Sequence, residues 1–296
     1  MATVQDLKRR IRSIRNTRKI TKAMELVASA RLRRAEARIE AMRPYADRMT
    51  ELMTGTAKAS TSLQGLALLQ RREVKKAAII PLTGDRGLAG AFNAQVLRHS
   101  FALEQDLRGD GVEVHWLVAG KKGRSTLGFR RYEIDQSWIG FSDRPSYHDA
   151  QAIARKAAEL YETGEIDRVV VVYNQFVSAL VQRVVERDLL PIPEEALAHD
   201  ESEERQEALL GDFIYEPEPE EILQRLLPVY VETELYRALL ESAASEQGAR
   251  MTAMRNASGN AADLISSLTL DMNRARQAEI TQEILEVVAG ADALTG

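Results

Sequence analysis

The chain contains no cysteine. Disulfides, thiolate catalysis, cysteine-ligated zinc and thiol redox switching are therefore excluded. A reducing setting is compatible with this but not required by it. Residues 2–43 contain neither glycine nor proline, so nothing in that run forces a break. Residues 229–289 also lack proline, and only Gly248 and Gly259 weaken them. No aromatic residue occurs in residues 1–44 or after Tyr236. No apolar run approaches the roughly 18 residues that a membrane span requires. The first apolar positions are separated by charges, unlike the apolar block of a signal peptide. The arginine-rich start resembles some transit peptides, but it fits continuous helix with the rest of the segment and is read as mature protein. His99, His115, His148 and His199 show no ligand spacing. Neither a G-x-S-x-G elbow nor an H-E-x-x-H pair is present. The expectation is a chain with no catalytic site of its own, no cofactor and no metal.

What is present lies at the two ends. As continuous helices, residues 2–43 would be about 63 Å long and residues 229–289 about 90 Å. A compact domain of this size is only about 40 Å across. Both ends should therefore project, and they can most cheaply bury their apolar faces against each other, giving a rod with a head. A hydrophobic content of 45% rules out a wholly disordered chain, and the middle is large enough to build its own core.

The net charge of −4 hides a marked asymmetry. Residues 1–50 hold 14 Lys and Arg against 5 Asp and Glu, whereas residues 194–221 hold 12 acids against Arg205 alone. A basic helix suggests nucleic acid or an anionic membrane; it equally suits a solvated face or an acidic protein surface. With no aromatics among residues 1–44 to stack on bases, nucleic acid is disfavoured. The acidic insert lacks the loop pattern of a calcium site and is read as solvated or partner-facing.

Val4, Leu7, Ile11 and Ile14 follow the 3-4 spacing of a coiled-coil seam. Tracking apolar side chains further, Ile20, Met24 and Val27 give a shifted register, and Leu32, Ala35, Ile39 and Met42 another, as if the winding changed locally. Thr3 with Asp6 resembles a capping box, and Pro44 predicts a bend or a break. In the last segment Leu235, Leu239, Leu264, Leu268, Ile284 and Val288 are sparse apolar positions among alanines, which suits a slender shaft. Between the ends, residues 74–83, 112–119, 168–173 and 181–185 read as strands, with helices over residues 91–107 and 149–162. The unbroken apolar rows predict a mainly parallel sheet covered on both faces.

The expected fold is α/β: a long antiparallel coiled coil of the terminal helices plus a central Rossmann-like domain. The expected parts are a coiled-coil helix over 1–55, the α/β domain over 74–192, an acidic linker or foot loop over 193–219, and a second coiled-coil helix over 220–290. Residues 84–90 follow a strand and precede a helix, where a phosphate-binding loop would lie. Their spacing is G-x-x-G-x-x-G, with no Lys-Ser or Lys-Thr pair after it. Gly120-Lys121-Lys122-Gly123 fails the same pattern. A nucleotide-binding α/β protein using residues 84–90 stays open as an alternative, beside structural turns with glycines at positive φ.

The run Ile280-Thr281-Gln282-Glu283-Ile284-Leu285-Glu286-Val287-Val288-Ala289-Gly290-Ala291 resembles the C-terminal signature of the gamma subunits of F-type ATP synthases. So does Arg274-Ala275-Arg276-Gln277-Ala278 before it. Asn16-Thr17-Arg18-Lys19-Ile20-Thr21-Lys22-Ala23-Met24-Glu25-Leu26-Val27-Ala28 is similar to that family's N-terminal pattern. Asp85-Arg86-Gly87-Leu88 and Tyr215-Glu216-Pro217-Glu218-Pro219 match as well, so the resemblance spans the chain in order. Departures are Ala89 where many members have Cys, Gly84 where Ser or Thr is usual, and Met272 where Tyr is common. The regulatory dithiol insert of chloroplast members is missing, which favours a bacterial type.

The resemblance implies a central rotor shaft that couples transmembrane proton flow to ATP synthesis or hydrolysis in a ring of alpha and beta subunits. The implied partners are the alpha, beta and epsilon subunits and the membrane c-ring, with no nucleic acid and no direct membrane insertion. The implied place is the cytoplasmic face of the bacterial membrane, as a peripheral protein. Carried over residue by residue, Arg276 and Gln277 contact beta near the bearing. Lys22, Met24 and Glu25 lie lower, near an acidic beta loop, and Arg250, Thr281 and Glu283 tune coupling. Tyr215, Glu216, Pro217, Glu218 and Pro219 form foot contacts to the c-ring or epsilon. The apolar last turns, residues 284–293, suit a low-friction bearing.

Overall fold

A strand buried on both faces has no polar side to alternate, and β1 (Lys76–Pro81) is buried at every residue after Lys76. The computed structural model describes residues 3–60, 63, 65–194 and 217–295. Strand β1 lies at the centre of a five-stranded sheet. It pairs in parallel with β2 (Glu113–Ala119) on one side and β4 (Arg168–Phe176) on the other. Strand β3 (Gln136–Trp138) extends the sheet in parallel beyond β2, and β5 (Gln182–Leu190) closes the other edge antiparallel to β4. The order is β3-β2-β1-β4-β5. The fold is thus α/β with a mainly parallel sheet, as the apolar rows predict.

Alternate residues of the central strands feed two cores, because strand side chains alternate faces. Ala77, Ile79, Trp116, Val118 and Val172 share one cluster with Val96 and Leu107 of α2 (Phe92–Gly109) and Leu127 of α3 (Lys121–Phe129). Ala78, Ile80, Leu82, Leu117, Val171 and Tyr173 point the other way. They meet Ile153 and Ala157 of α4 (Tyr147–Glu162), and Leu227, Val231 and Leu235 of α5 (Pro219–Thr295). Met49 and Met53 of α1 (Val4–Ala59) join this second cluster. Two elements escaped the sequence reading. Strand β3 has only three residues, and α3 carries two glycines and two lysines in nine positions.

The chain divides into two compact units, residues 30–249 with the sheet, and residues 1–29 together with 250–296. Helix α1 begins at the expected cap: the Asp6 N–H donates to Thr3 Oγ1 at 3.2 Å, and the Thr3 hydroxyl donates to the Asp6 carboxylate at 2.8 Å. It does not end at Pro44, which lies inside the helix. A proline there costs about 3 kcal/mol, and the burial of Met42, Met49 and Met53 offsets it.

The register shifts read from the apolar residues of α1 do not occur. The buried or half-buried face runs Val4, Leu7, Ile11, Ile14, Thr21, Glu25, Ala28, Leu32, Ala35, Ile39, Met42, Ala46, Met49 and Met53. That is one unbroken 3-4 repeat, with exposed Arg18 filling the missing step. Polar residues occupy three seam positions, so Ile20 and Val27 are 60% and 52% exposed. Helix α5 answers in the smaller unit with Met251, Met254, Ala261 and Ile265 at the same spacing. There the two helices pair as an antiparallel coiled coil. Leu264 is off this face and 49% exposed, contrary to its reading as a packing position.

Leu235→Ala, which empties a fully buried site, should cost about 2–5 kcal/mol. Leu264→Ala should change stability by only about 0.5 kcal/mol. Denaturant unfolding followed by circular dichroism compares the two, and equal losses would contradict the assigned face.

Candidate functional site

In an open parallel sheet the natural ligand crevice lies where the strand order reverses, at the carboxyl ends of the strands. Here that place is between β1 and β4, beside residues 84–90. Three features close it. Ser245 of α5 donates its hydroxyl to the Asn174 carbonyl at 2.9 Å, and Asn174 Nδ2 donates to the Phe92 carbonyl at 3.3 Å. A Cβ on Gly84 would stand 2.9 Å from the Glu246 carboxylate, so α5 brings a buried acid against the loop. An anion already serves the backbone donors nearby. Asp85 accepts from the N–H groups of Lys121 and Gly140 at 2.9 Å and of Ser142 at 3.0 Å.

Burial pushes the Asp85 carboxyl up, but the hydrogen bonds from Gly140, Ser142 and Lys121 outweigh it and hold it below the ordinary 3.8. A phosphate in this position would meet two carboxylates of the protein itself. The positive φ expected of the loop glycines falls on Leu88 (64°) and Gly90 (56°), not on Gly84 or Gly87. Gly120 is required: at φ 96° its Cβ would lie 2.0 Å from the Thr83 carbonyl oxygen. The nucleotide alternative thus loses its geometric basis.

The exposed chemistry lies in the smaller unit. Arg12, Arg15, Arg18, Lys19 and Lys22 of α1 line an open groove of about 990 Å³, with Ser258 and Ile265 of α5 along it. A row of cations on a helix pair sets up a positive local potential. Beside it, Glu25 sits in the seam at 7% exposure. It accepts from Lys22 Nζ at 2.9 Å and from Arg255 Nε at 3.2 Å across the helix pair. The Lys22 hydrogen bond, aided by Arg255, holds the Glu25 carboxyl below its usual range.

From Arg276 to Gly290 every residue of α5 is exposed. Ile280, Ile284, Leu285, Val287 and Val288 are 43–73% exposed. Such a run of large apolar side chains in water marks a surface that a partner covers.

Among the residues singled out from the sequence, Lys22 and Glu25 are therefore joined directly, with Met24 half-buried beside them. Arg250 is buried at 7% exposure. Arg276, Gln277, Thr281 and Glu283 stand on the exposed run, where Thr281 Oγ1 donates to the Gln277 carbonyl at 2.8 Å. Glu218 and Pro219 open α5: the N–H groups of Glu221 and Ile222 donate to the Glu218 carbonyl at 3.0 and 3.2 Å, and Pro219 takes the first helical position. Pro217 is exposed. Tyr215, Glu216 and most of the acidic insert lie outside the described residues, as do the side chains after Gly290. Sequence reasoning missed Arg255. Its signal was the polar Glu25 at a seam position, which needs a cation opposite. Among the described residues no cluster of acids or histidines could hold a metal, and no helix is long and apolar enough to cross a membrane.

Residues 3–294 match the protein family described as ATP synthase. The chain is 47% identical to the ATP synthase gamma chain of Rubrobacter xylanophilus over 295 residues, covering 99% of each. It is 46% identical to that of Moorella thermoacetica over 294 residues, covering 99% of this chain and all of the other. Among solved structures it is similar to a chain of the Tetrahymena thermophila mitochondrial ATP synthase central stalk and c-ring assembly. There the TM-score is 0.59 and the identity 27%, over 81% of this chain and 99% of that one. A chain of the Euglena gracilis mitochondrial ATP synthase shares the fold at a TM-score of 0.68 and 18% identity, over 98% and 94% of the two chains.

Two outcomes test the closed crevice. Titration of the isolated chain with ATP should give no saturable heat, and tight binding lost in Asp85→Asn would reverse this reading. Because the folded-state pKa of Asp85 is depressed, its contribution is present above 3.8 and is lost as the pH falls further. The stability gap between wild type and Asp85→Asn should therefore be widest near neutral pH and shrink below 3.8; denaturant midpoints across pH measure it.

Proposed function

This chain belongs to the ATP synthase gamma-chain family, and from that premise we propose how its parts work as the central rotor of the complex. The observation that carries the reading is the exposed run of α5 from Arg276 to Gly290, whose apolar side chains call for an enclosing partner. A ring of alpha and beta subunits supplies that enclosure. The chain has no catalytic site of its own; the sites lie in the beta subunits, and a turning, asymmetric shaft holds each in a different conformation. Proton flow through the c-ring turns the shaft to drive synthesis, and hydrolysis turns it the other way.

The contacts follow from chemistry and placement. Arg276 and Gln277 meet beta near the bearing through charge-assisted and amide hydrogen bonds. Thr281 and Glu283 come next on the same exposed run. The basic groove with Lys22, beside Met24 and Glu25, faces the acidic beta loop. Arg250 tunes coupling from within the shaft. Tyr215, Glu216, Pro217, Glu218 and Pro219 meet the c-ring or epsilon. The complex is membrane-associated while no described helix of this chain crosses a membrane. The relatives at 40–47% identity come from bacteria, which supports the cytoplasmic face of the bacterial membrane as its place.

Reconstitution of ATPase activity from purified alpha and beta subunits, with and without this chain, tests the reading. Hydrolysis that depends on the chain, in a complex with one copy of it, is the expected result; no association would end the proposal. In the same system, Arg276→Ala with Gln277→Ala should lower coupled synthesis roughly tenfold, since hydrogen bonds to charged groups contribute about 1.5–3 kcal/mol. Assembly, followed by size-exclusion chromatography, should be spared. Normal synthesis in the double variant would remove these contacts from the mechanism.

A further inference from the structure

A helix that transmits rotation must not slip where it is held. Apolar burial opposes separation but is non-directional. In the larger unit α5 buries Leu227, Val231, Leu235 and Leu239, and from Ala238 on it presents mainly small side chains, among them Ala243, Ala244 and Ser245. Alanine and serine form shallow ridges, which give little purchase against turning about the helix axis.

Besides the Ser245 bond to the Asn174 carbonyl and the 2.9 Å bond from Arg187 Nη1 of β5 to the Glu234 carboxylate, two carboxylates each gather several directional contacts. The Glu232 carboxylate, 5% exposed, accepts from Tyr147 Oη at 2.6 Å and Gln151 Nε2 at 3.0 Å on one oxygen. Its other oxygen accepts from Arg155 Nε at 3.2 Å. These donors stand at successive turns of one face of α4, like a rack. At the second place Asp143 gathers three elements. One carboxylate oxygen accepts from Arg31 Nη1 of α1 at 2.8 Å and pairs with Arg86 Nη1 of the 84–90 loop at 3.1 Å. The other accepts from Gln247 Nε2 of α5 at 3.1 Å. Residues 232 and 247 are about 22 Å apart along the helix at 1.5 Å per residue. Two clamps so separated resist tilt as well as twist.

Stability alone is a poor reason for these groups. Apolar residues of similar volume often hold a buried site as well as an ion pair does, because burying charge is costly. What an apolar side chain does not supply is direction. Burial and Glu232 also raise the Tyr147 pKa, so its hydroxyl stays protonated and keeps donating.

We propose that Glu232 and Asp143 are positioning residues that lock α5 against the α/β body, so that the two turn together under load. This rests on the rotor reading. The test uses the whole ATP synthase in vesicles, with Glu232→Met, Asp143→Asn and the conservative Glu232→Gln, and Tyr147→Phe with Gln151→Leu as the milder pair. ATP hydrolysis is measured without load, in the presence of an uncoupler. Proton pumping per ATP is measured against a rising imposed gradient, and melting of the complex is recorded. Unloaded hydrolysis should stay near wild type; melting should drop modestly in Glu232→Met, which leaves its donors without their acceptor, and stay near wild type in Glu232→Gln. Pumping per ATP at high load should fall roughly fivefold in Glu232→Met, the low end of couplings between sites, with Glu232→Gln between the two.

Pumping equal to wild type at every load, in variants that assemble, overturns the proposal. So does a proportional loss of melting temperature, unloaded hydrolysis and pumping, which would make the clamps purely structural. A wild-type chain that fails to restore hydrolysis to the ring overturns the rotor reading itself, and it does so before any variant is compared.

Discussion

Every residue of α5 from position 238 to 248 is buried. A helix enclosed on all sides cannot reserve a polar face for water, so its polar side chains must find partners inside. Arg237 donates to Glu241, Ser245 to the Asn174 carbonyl and Gln247 to Asp143. Much of the larger unit follows from this enclosure. Gly84 is small because Glu246 needs the space, and Asp85 can satisfy the start of α3 because no ligand has to. The crevice of a nucleotide-binding sheet is still visible, but the chain's own last helix fills it.

The sheet was largely legible because fully buried parallel strands leave an unmistakable trace: Ala77-Ala78-Ile79-Ile80 and Val169-Val170-Val171-Val172 are apolar on both faces. Strand β3 and helix α3 left no such trace. Their residues are held by register with β2 and by the close approach at Gly120, which are tertiary facts. The first helix shows the opposite failure. Its pattern was strong, but following only apolar residues led from Ile14 to Ile20, off the seam. The backbone kept its spacing and accepted Thr21 and Glu25 instead. The period of a coiled coil belongs to the geometry of two helices, and a paired polar residue can occupy a step without moving it. The motifs located the exposed run at the end of α5, but periodicity said nothing of Arg255 or of the clamps at Glu232 and Asp143.

The smaller unit separates two kinds of surface. Cations line the groove on α1, where long-range attraction guides encounter and weakens with salt. Uncharged, branched side chains dominate the run from Ile280 to Val288. A contact of that second kind has shallow, non-directional energetics, so it excludes water without fixing an angle. The hydrogen bonds of the larger unit, by contrast, are directional.

The exposed end of α5 also constrains the order in which a complex can be built. A single helix of this length is marginal in water when nothing packs against it. Pushing such an end into a closed ring would require it to keep its shape while unsupported and to pass apolar side chains through a fitted bore. Subunits gathering one by one around the helix meet neither demand, since each arrival covers part of it. An axle with this tip favours a housing that closes around it.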